Sequence, residues 1–213
     1  MGKIESGISG SFSGKVGPVV GCTWKGVPYM RGLPKKRTSV ATGAELANRK
    51  RFADMHKWLK PLLSVLRIGF KGYSPRLEGF LAAKSYLLRY AIEGEYPNTT
   101  INPAKVKLSH GDLPLAENLN VAYQVTSEEL VFSWDPSTPN NASSRDQVMM
   151  VAYFTGLGEA ISVTSGAFRQ TGTDKLQLSG NLLGHQAEVY IAFISEDRQK
   201  QSDSVYLGSI LCE

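Results

Sequence analysis

The sequence predicts an α+β protein: an N-terminal glycine-rich β meander with two helices, followed by an all-β immunoglobulin-like sandwich. Three observations predict it. Glycines recur at intervals of three to six residues from Gly7 to Gly32. An amphipathic period near that of a helix runs from Thr42 to Gly94, and a period near that of a strand takes over after Leu119. The expected boundary lies between a basic assembly or binding domain, residues 1–116, and a sandwich, residues 117–213.

In the glycine-rich stretch, Phe12, Val16, Val19, Val20, Trp24, Val27 and Tyr29 favour pleated backbone, and the glycines between them allow tight turns. The expected strands are Ile8–Phe12, Val16–Trp24 and Val27–Arg31, turned at Ser13-Gly14 and Lys25-Gly26. Pro18 and Pro28 give no N–H to a ladder, so these read as edge or bulged strands. A phosphate loop is excluded: Gly10 and Gly14 enclose three residues where four are required, and Val16 follows Lys15 where a hydroxyl is needed for magnesium.

Thr42-Gly43-Ala44-Glu45 is a capping-box pattern, so a helix is expected from there, with Phe52, Met55, Leu59, Leu62 and Leu63 as its apolar stripe. Arg49, Lys50, Lys57 and Lys60 gather on another face, and Pro61 should kink or divide the helix. Ser74-Pro75 reads as the start of a second helix, ending at Gly94, with Leu77, Phe80, Leu81, Leu87, Leu88 and Ala91 buried. Val106 and Leu108 suggest a short strand within a proline-containing connector.

From Leu119 onward the strands expected are 120–124, 129–134, 147–154, 160–164, 175–178, 187–194 and 204–210. That number of short strands in a hundred residues is the pattern of a two-sheet sandwich.

Two resemblances follow. The run Leu130-Val131-Phe132-Ser133-Trp134-Asp135-Pro136 resembles the second strand of a fibronectin type III domain. The later Leu176, Leu178, Leu182, Gly184, Val189, Ile191 and Phe193 are similar to its last sheet-crossing strands, with Ala187 where the corner tyrosine is expected. This implies an interaction or spacer module and no binding residues. Over the full length, Ser13 to Gly21, Trp24-Lys25-Gly26, Arg31, Arg49 to Phe52 and Ser204 to Gly208 resemble an uncharacterised family of Bacteroidota proteins of unknown function, some phage-associated. That resemblance implies a bacterial or phage source and a two-part architecture, but no activity.

Composition is that of an ordinary globular chain, 42% hydrophobic and 20% charged, and the opening MGKIESG lacks a signal-like apolar run. Cytoplasmic synthesis is expected, with later incorporation into a virion, and no membrane partner. Residues 1–110 carry 19 Lys+Arg against 6 Asp+Glu, a net +13, and residues 111–213 carry 5 against 13, a net −8. Such opposed halves either draw nucleic acid to the basic side or orient copies head to tail.

Catalytic signatures are missing. His56, His110 and His185 have no second ligand at metal spacing, Cys22 and Cys212 stand near opposite ends, and no nucleophile elbow occurs. The expectation is therefore a non-enzymatic structural protein, without cofactor or metal, that assembles with copies of itself or with partners into a particle such as a virion or filament. Phe12, Val16, Val19, Val20, Trp24, Val27 and Tyr29 would form the assembly interface, because a glycine-rich sheet with open edges has little to bury itself against. The alternative is a cytoplasmic nucleic-acid-binding protein. Lys35, Lys36, Arg37, Arg49, Lys50, Lys57 and Lys60 would then meet phosphates, or an acidic protein partner, with Trp24, Tyr29 and Trp58 as stacking groups.

Overall fold

The computed structural model describes residues 3, 4 and 10–213, of which 3 and 4 are described by backbone alone. The chain divides into two compact units, Met1–Thr42 and Gly43–Glu213. The boundary read near residue 116 falls inside the second of these.

The first unit is a four-stranded antiparallel sheet of consecutive strands: β1 (Lys3–Ile4), β2 (Phe12–Val16), β3 (Val19–Trp24) and β4 (Val27–Gly32). Of the strand expected from Ile8 to Phe12, Ile8 and Ser9 lie outside the described residues. The first turn falls at Gly17-Pro18, between the paired Val16 and Val19, and not at Ser13-Gly14. Gly17 has φ +54°, the positive angle that a primed hairpin turn needs at its first central residue. Lys25 (φ +46°) and Gly26 (φ +81°) supply the second turn, with both central residues left-handed.

The second unit is mixed α and β. Helix α1 (Gly43–Leu59) stops where Pro61 forces a single tighter turn over Lys60–Leu62, and α2 (Leu63–Gly69) resumes. Helix α3 (Gly79–Tyr90) begins later than Ser74-Pro75 suggested. The Ser74 hydroxyl does cap a backbone N–H, that of Leu77, but it closes a local turn and not a helix. This late start changes the buried face. Ala82, Ala83 and Leu87 are buried, whereas Leu77 and Leu81 remain exposed. On α1, Phe52 is likewise exposed, lying beneath the Lys84 ammonium at 4.9 Å from its ring centroid.

A short pair, β5 (Ile92–Glu93) and β6 (Thr100–Ile101), leads into the longer sheets. Val106 and Leu108 form no strand, although both are buried, and Leu108 N–H donates to Ser204 Oγ at 2.8 Å. One sheet has the order β11 (Thr173–Gln177), β8 (Glu129–Ser133), β7 (Asn120–Gln124). The other has β10 (Glu159–Val163), β9 (Gln147–Phe154), β12 (Gln186–Ile194), β13 (Val205–Leu211).

The alternation of β9 and β12 decides the layering. Val148, Met150, Ala152 and Phe154, with Val189, Ile191 and Phe193, join Leu130, Phe132 and Leu176 of the three-stranded sheet in one buried cluster. The opposite parity, Val151, Tyr153 and Tyr190, is buried with Met55, Leu59, Leu66, Phe70 and Leu87 of the helices. The β10–β9–β12–β13 sheet is thus covered on both faces at its centre, which is why β9 and β12 read as continuous apolar runs. The helices and the last hundred residues share a core, and no boundary near residue 116 could separate them.

Candidate functional site

Two places hold the residues singled out by the sequence. The first is the N-terminal sheet. Register and alternation place Gly14, Val16, Val19, Gly21 and Met30 on one face, and Lys15, Val20, Cys22, Trp24, Val27, Tyr29 and Arg31 on the other. Strand β2 bends at Gly14 (φ +99°) and crosses Gly21, where an added Cβ would sit 2.0 Å from the Phe12 carbonyl oxygen. The seven residues expected to make one interface therefore divide: Phe12, Val16 and Val19 belong to the Gly21 face, and Val20, Trp24, Val27 and Tyr29 to the opposite one.

Among the described residues neither face has a core. Among residues 10–42 only Gly21 is buried, and none joins a buried apolar cluster. Trp24 is 48% exposed, Val27 63% and Tyr29 47%. Such an apolar face is costly to leave in water.

The basic residues part company. Lys35 and Lys36 are exposed in the first unit, and Arg37 donates to the Ser39 and Val40 carbonyls at 2.9 and 3.0 Å. In the second unit Arg49 is exposed, while Lys50 donates to the Pro97 carbonyl at 2.5 Å. Lys57 and Lys60 face a cleft.

That cleft, about 630 Å³, is the second place. The end of α1 and the Pro61 turn form one wall, the Thr99–Ile101 segment another, and the β9–β10 turn Thr155–Gly158 a third. Trp58 meets Tyr153 edge-on, with ring centroids 4.7 Å apart. Asp54 accepts a long hydrogen bond from Thr99 Oγ1 at 3.5 Å. Burial raises the Tyr153 phenol above its ordinary range. Lys57, Lys60 and Trp58 were legible in the sequence; Tyr153 and Thr99 were not, since only folding brings them beside residues so distant in the chain.

A second polar cluster ties the connector to β13. Asp203 accepts from Lys107 Nζ, from His110 Nδ1 at 2.8 Å and from Gly111 N–H at 3.2 Å, and His110 stacks on Tyr86. Burial opposes the Asp203 charge, but Lys107, the Gly111 N–H and His110 outweigh it and hold the carboxyl below the usual aspartate range. No nucleophilic hydroxyl or thiol completes a catalytic set with His110 among the hydrogen bonds of the described residues. Among the described residues no group of three or more His, Cys, Asp or Glu could hold a metal ion, and no helix is long and apolar enough to cross a membrane.

The geometry defines a mixed α and β chain whose described N-terminal strands build no core of their own and whose second unit carries a cleft at the end of α1. Residues 11–208 match the model of a family of unknown function (DUF6266), and the chain belongs to that family. No curated protein and no solved structure matches it.

Proposed function

We propose that the chain is a non-enzymatic structural protein that assembles through its N-terminal sheet. One observation carries this: among its described residues the four-stranded N-terminal sheet buries no side-chain cluster, and Trp24, Val27 and Tyr29 on one face are exposed. Closing the exposed half of Trp24 and of Tyr29, ~100 Å² each, would contribute ~2.5 kcal/mol per ring. The occupant is a second copy. Met1–Thr42 holds seven basic residues and one acidic, a net +6, whereas Gly43–Glu213 holds 17 basic and 18 acidic, a net −1, with 13 of those acidic residues after residue 110. Like faces would repel, so the basic sheet of one copy meets the acidic residues that the next carries after residue 110, a head-to-tail contact that grows into rings or filaments. The strand orders of the second unit fit an immunoglobulin-type sandwich, close to fibronectin type III, acting as the rigid spacer of such an array. A virion or filament of bacterial or phage origin is the particle this reading favours.

The nucleic-acid alternative has less support. Arg37 and Lys50 each spend part of their donors within the chain, and the basic residues are split between two units.

The test is light scattering of the full chain over concentration and salt, beside Trp24→Ser/Tyr29→Ser. Species that grow with concentration, shrink with salt and fall to monomer in the variant are expected. A strict monomer at low salt and high concentration would defeat the proposal; tight, salt-sensitive binding of a random single-stranded oligonucleotide by that monomer would favour the alternative instead.

A further inference from the structure

The cleft beneath α1 is independent of the N-terminal sheet, and its chemistry is that of a binding site. Its volume lies within the range of small-molecule pockets. Its walls combine apolar bodies, Trp58, Pro61, Ile101 and Leu157, with a few polar tips.

Lys57 and Lys60 are three residues apart across the helix end, so they stand on neighbouring positions of one face. Both are exposed, and neither has a hydrogen bond or ion pair among the described residues. Lysines at a helix C-terminus also complement its dipole, and by themselves they would say nothing about a ligand.

Tyr153 says more. It is 2% exposed, lines the cleft, and its hydroxyl has no hydrogen-bond partner among the described residues. The ring is buried, but the hydroxyl is not one of the buried polar atoms left without a partner, so it opens onto the cleft where a ligand can reach it. Burial alone shifts its acidity, upward, so the hydroxyl stays protonated and available as a donor at neutral pH.

The charge balance narrows the ligand. Two ammonium groups face one carboxylate, Asp54, a net +1 that suits a monoanion better than a dianion. The glycine-containing turn offers no phosphate cradle, because the Leu157 and Gly158 N–H groups both donate to the Phe154 carbonyl, at 3.1 and 2.8 Å. We infer that the cleft binds an organic carboxylate with an apolar or aromatic body: the carboxylate between Lys57, Lys60 and the Tyr153 hydroxyl, the body against Trp58, Pro61 and Ile101.

The experiment titrates the folded full chain with 4-phenylbutyrate, its neutral amide, and phenyl phosphate. Binding is followed at the Trp58 indole N–H in proton–nitrogen NMR spectra, the signal assigned by its loss in Trp58→Phe. The Trp134 indole N–H, which donates to the Arg169 carbonyl at 2.8 Å within the core, reports that the fold is intact. Expected is a saturable shift of Trp58 with the carboxylate, about tenfold weaker affinity for the amide, and Trp134 unmoved. Lys57→Gln/Lys60→Gln should weaken the carboxylate about tenfold and leave the amide unchanged, and Tyr153→Phe should weaken the carboxylate about fivefold. Equal affinity for acid and amide, tighter binding of phenyl phosphate, an unaffected double variant, or an unmoved Trp58 would each overturn the assignment.

Discussion

Arg169 is the most consequential side chain that no sequence pattern announces. It is fully buried, with its Nε 3.3 Å from Asp146 Oδ2, its Nη2 donating to the Pro114 carbonyl at 2.5 Å, and its guanidinium 4.4 Å from the Phe193 ring centroid. Although the ion pair is close, its alignment is poor, and Nε and Nη1 have no hydrogen-bond partner. Arg169→Met would leave the buried Asp146 carboxylate supported by the Ser143 N–H alone, at 2.8 Å, and would orphan the Pro114 carbonyl. Breaking one side of a buried pair typically costs about 3–5 kcal/mol. The partly unsatisfied guanidinium places this case at the lower end, ~3 kcal/mol. The double variant Arg169→Met/Asp146→Asn removes the uncompensated charge while Asn can still accept from Ser143, so it should be more stable than the single variant by ~1–2 kcal/mol. Urea unfolding followed by Trp134 fluorescence measures both, with equal slopes required for the comparison. A single variant within ~1 kcal/mol of the parent, or a double variant weaker than the single, would refute the view that this pair is held by charge compensation and not by packing.

Two further outcomes follow from the connector. Because the folded Asp203 carboxyl titrates below its unfolded value, its contribution is fully present above the ordinary aspartate range and is lost as pH falls through the folded value. Urea midpoints of the parent should therefore drop in acid, and Asp203→Asn, weaker by ~1 kcal/mol near neutrality after solvent screening, should converge on it there; a constant gap across pH would contradict this. Gly69→Ala would place a Cβ 2.2 Å from the Leu108 carbonyl oxygen, at a helix end whose own carbonyl accepts from His110 N–H at 2.9 Å, so thermal unfolding should show a loss of ~2 kcal/mol; an unchanged midpoint would show that the connector can move aside.

How much of this was legible depends on how local each signal is. The strand β7, Asn120–Gln124, alternates exposed and half-buried residues, and its limits match the sequence reading residue for residue. The later strands agree to within a residue or two, because hairpin turns such as Gly156-Leu157-Gly158 punctuate them. The start of α3 differs from the sequence expectation because a Ser-Pro pair serves a turn as well as a helix; here Ser74 N–H donates to the Leu77 carbonyl and Gly79 N–H to the Phe70 carbonyl, both at 3.1 Å. In the cleft, Lys57, Trp58 and Lys60 share a helix end and could be grouped from spacing, whereas Tyr153 looked like one more strand aromatic. Arg169 carried no signal at all: an arginine in a loop reads as solvated until the fold supplies Asp146 and Phe193.

The covering of the four-stranded sheet was nevertheless implicit in the letters. Residues 148–154, VMMVAYF, and 189–194, VYIAFI, are apolar at both parities, and a strand of that kind cannot leave either face in water. Strands β7, β8 and β11 can cover one face of it. Something else must cover the other, and the amphipathic segments between Thr42 and Gly94 are the remaining apolar surface of comparable extent in the chain. Counting faces in this way joins the helices to the sheet and leaves the glycine-rich strands as the part without a cover. The same count applied to β3 and β4, which have Val20, Cys22, Trp24, Val27 and Tyr29 on one face and no buried cluster among the described residues of their own unit, is what motivates the proposal of a second copy as their cover.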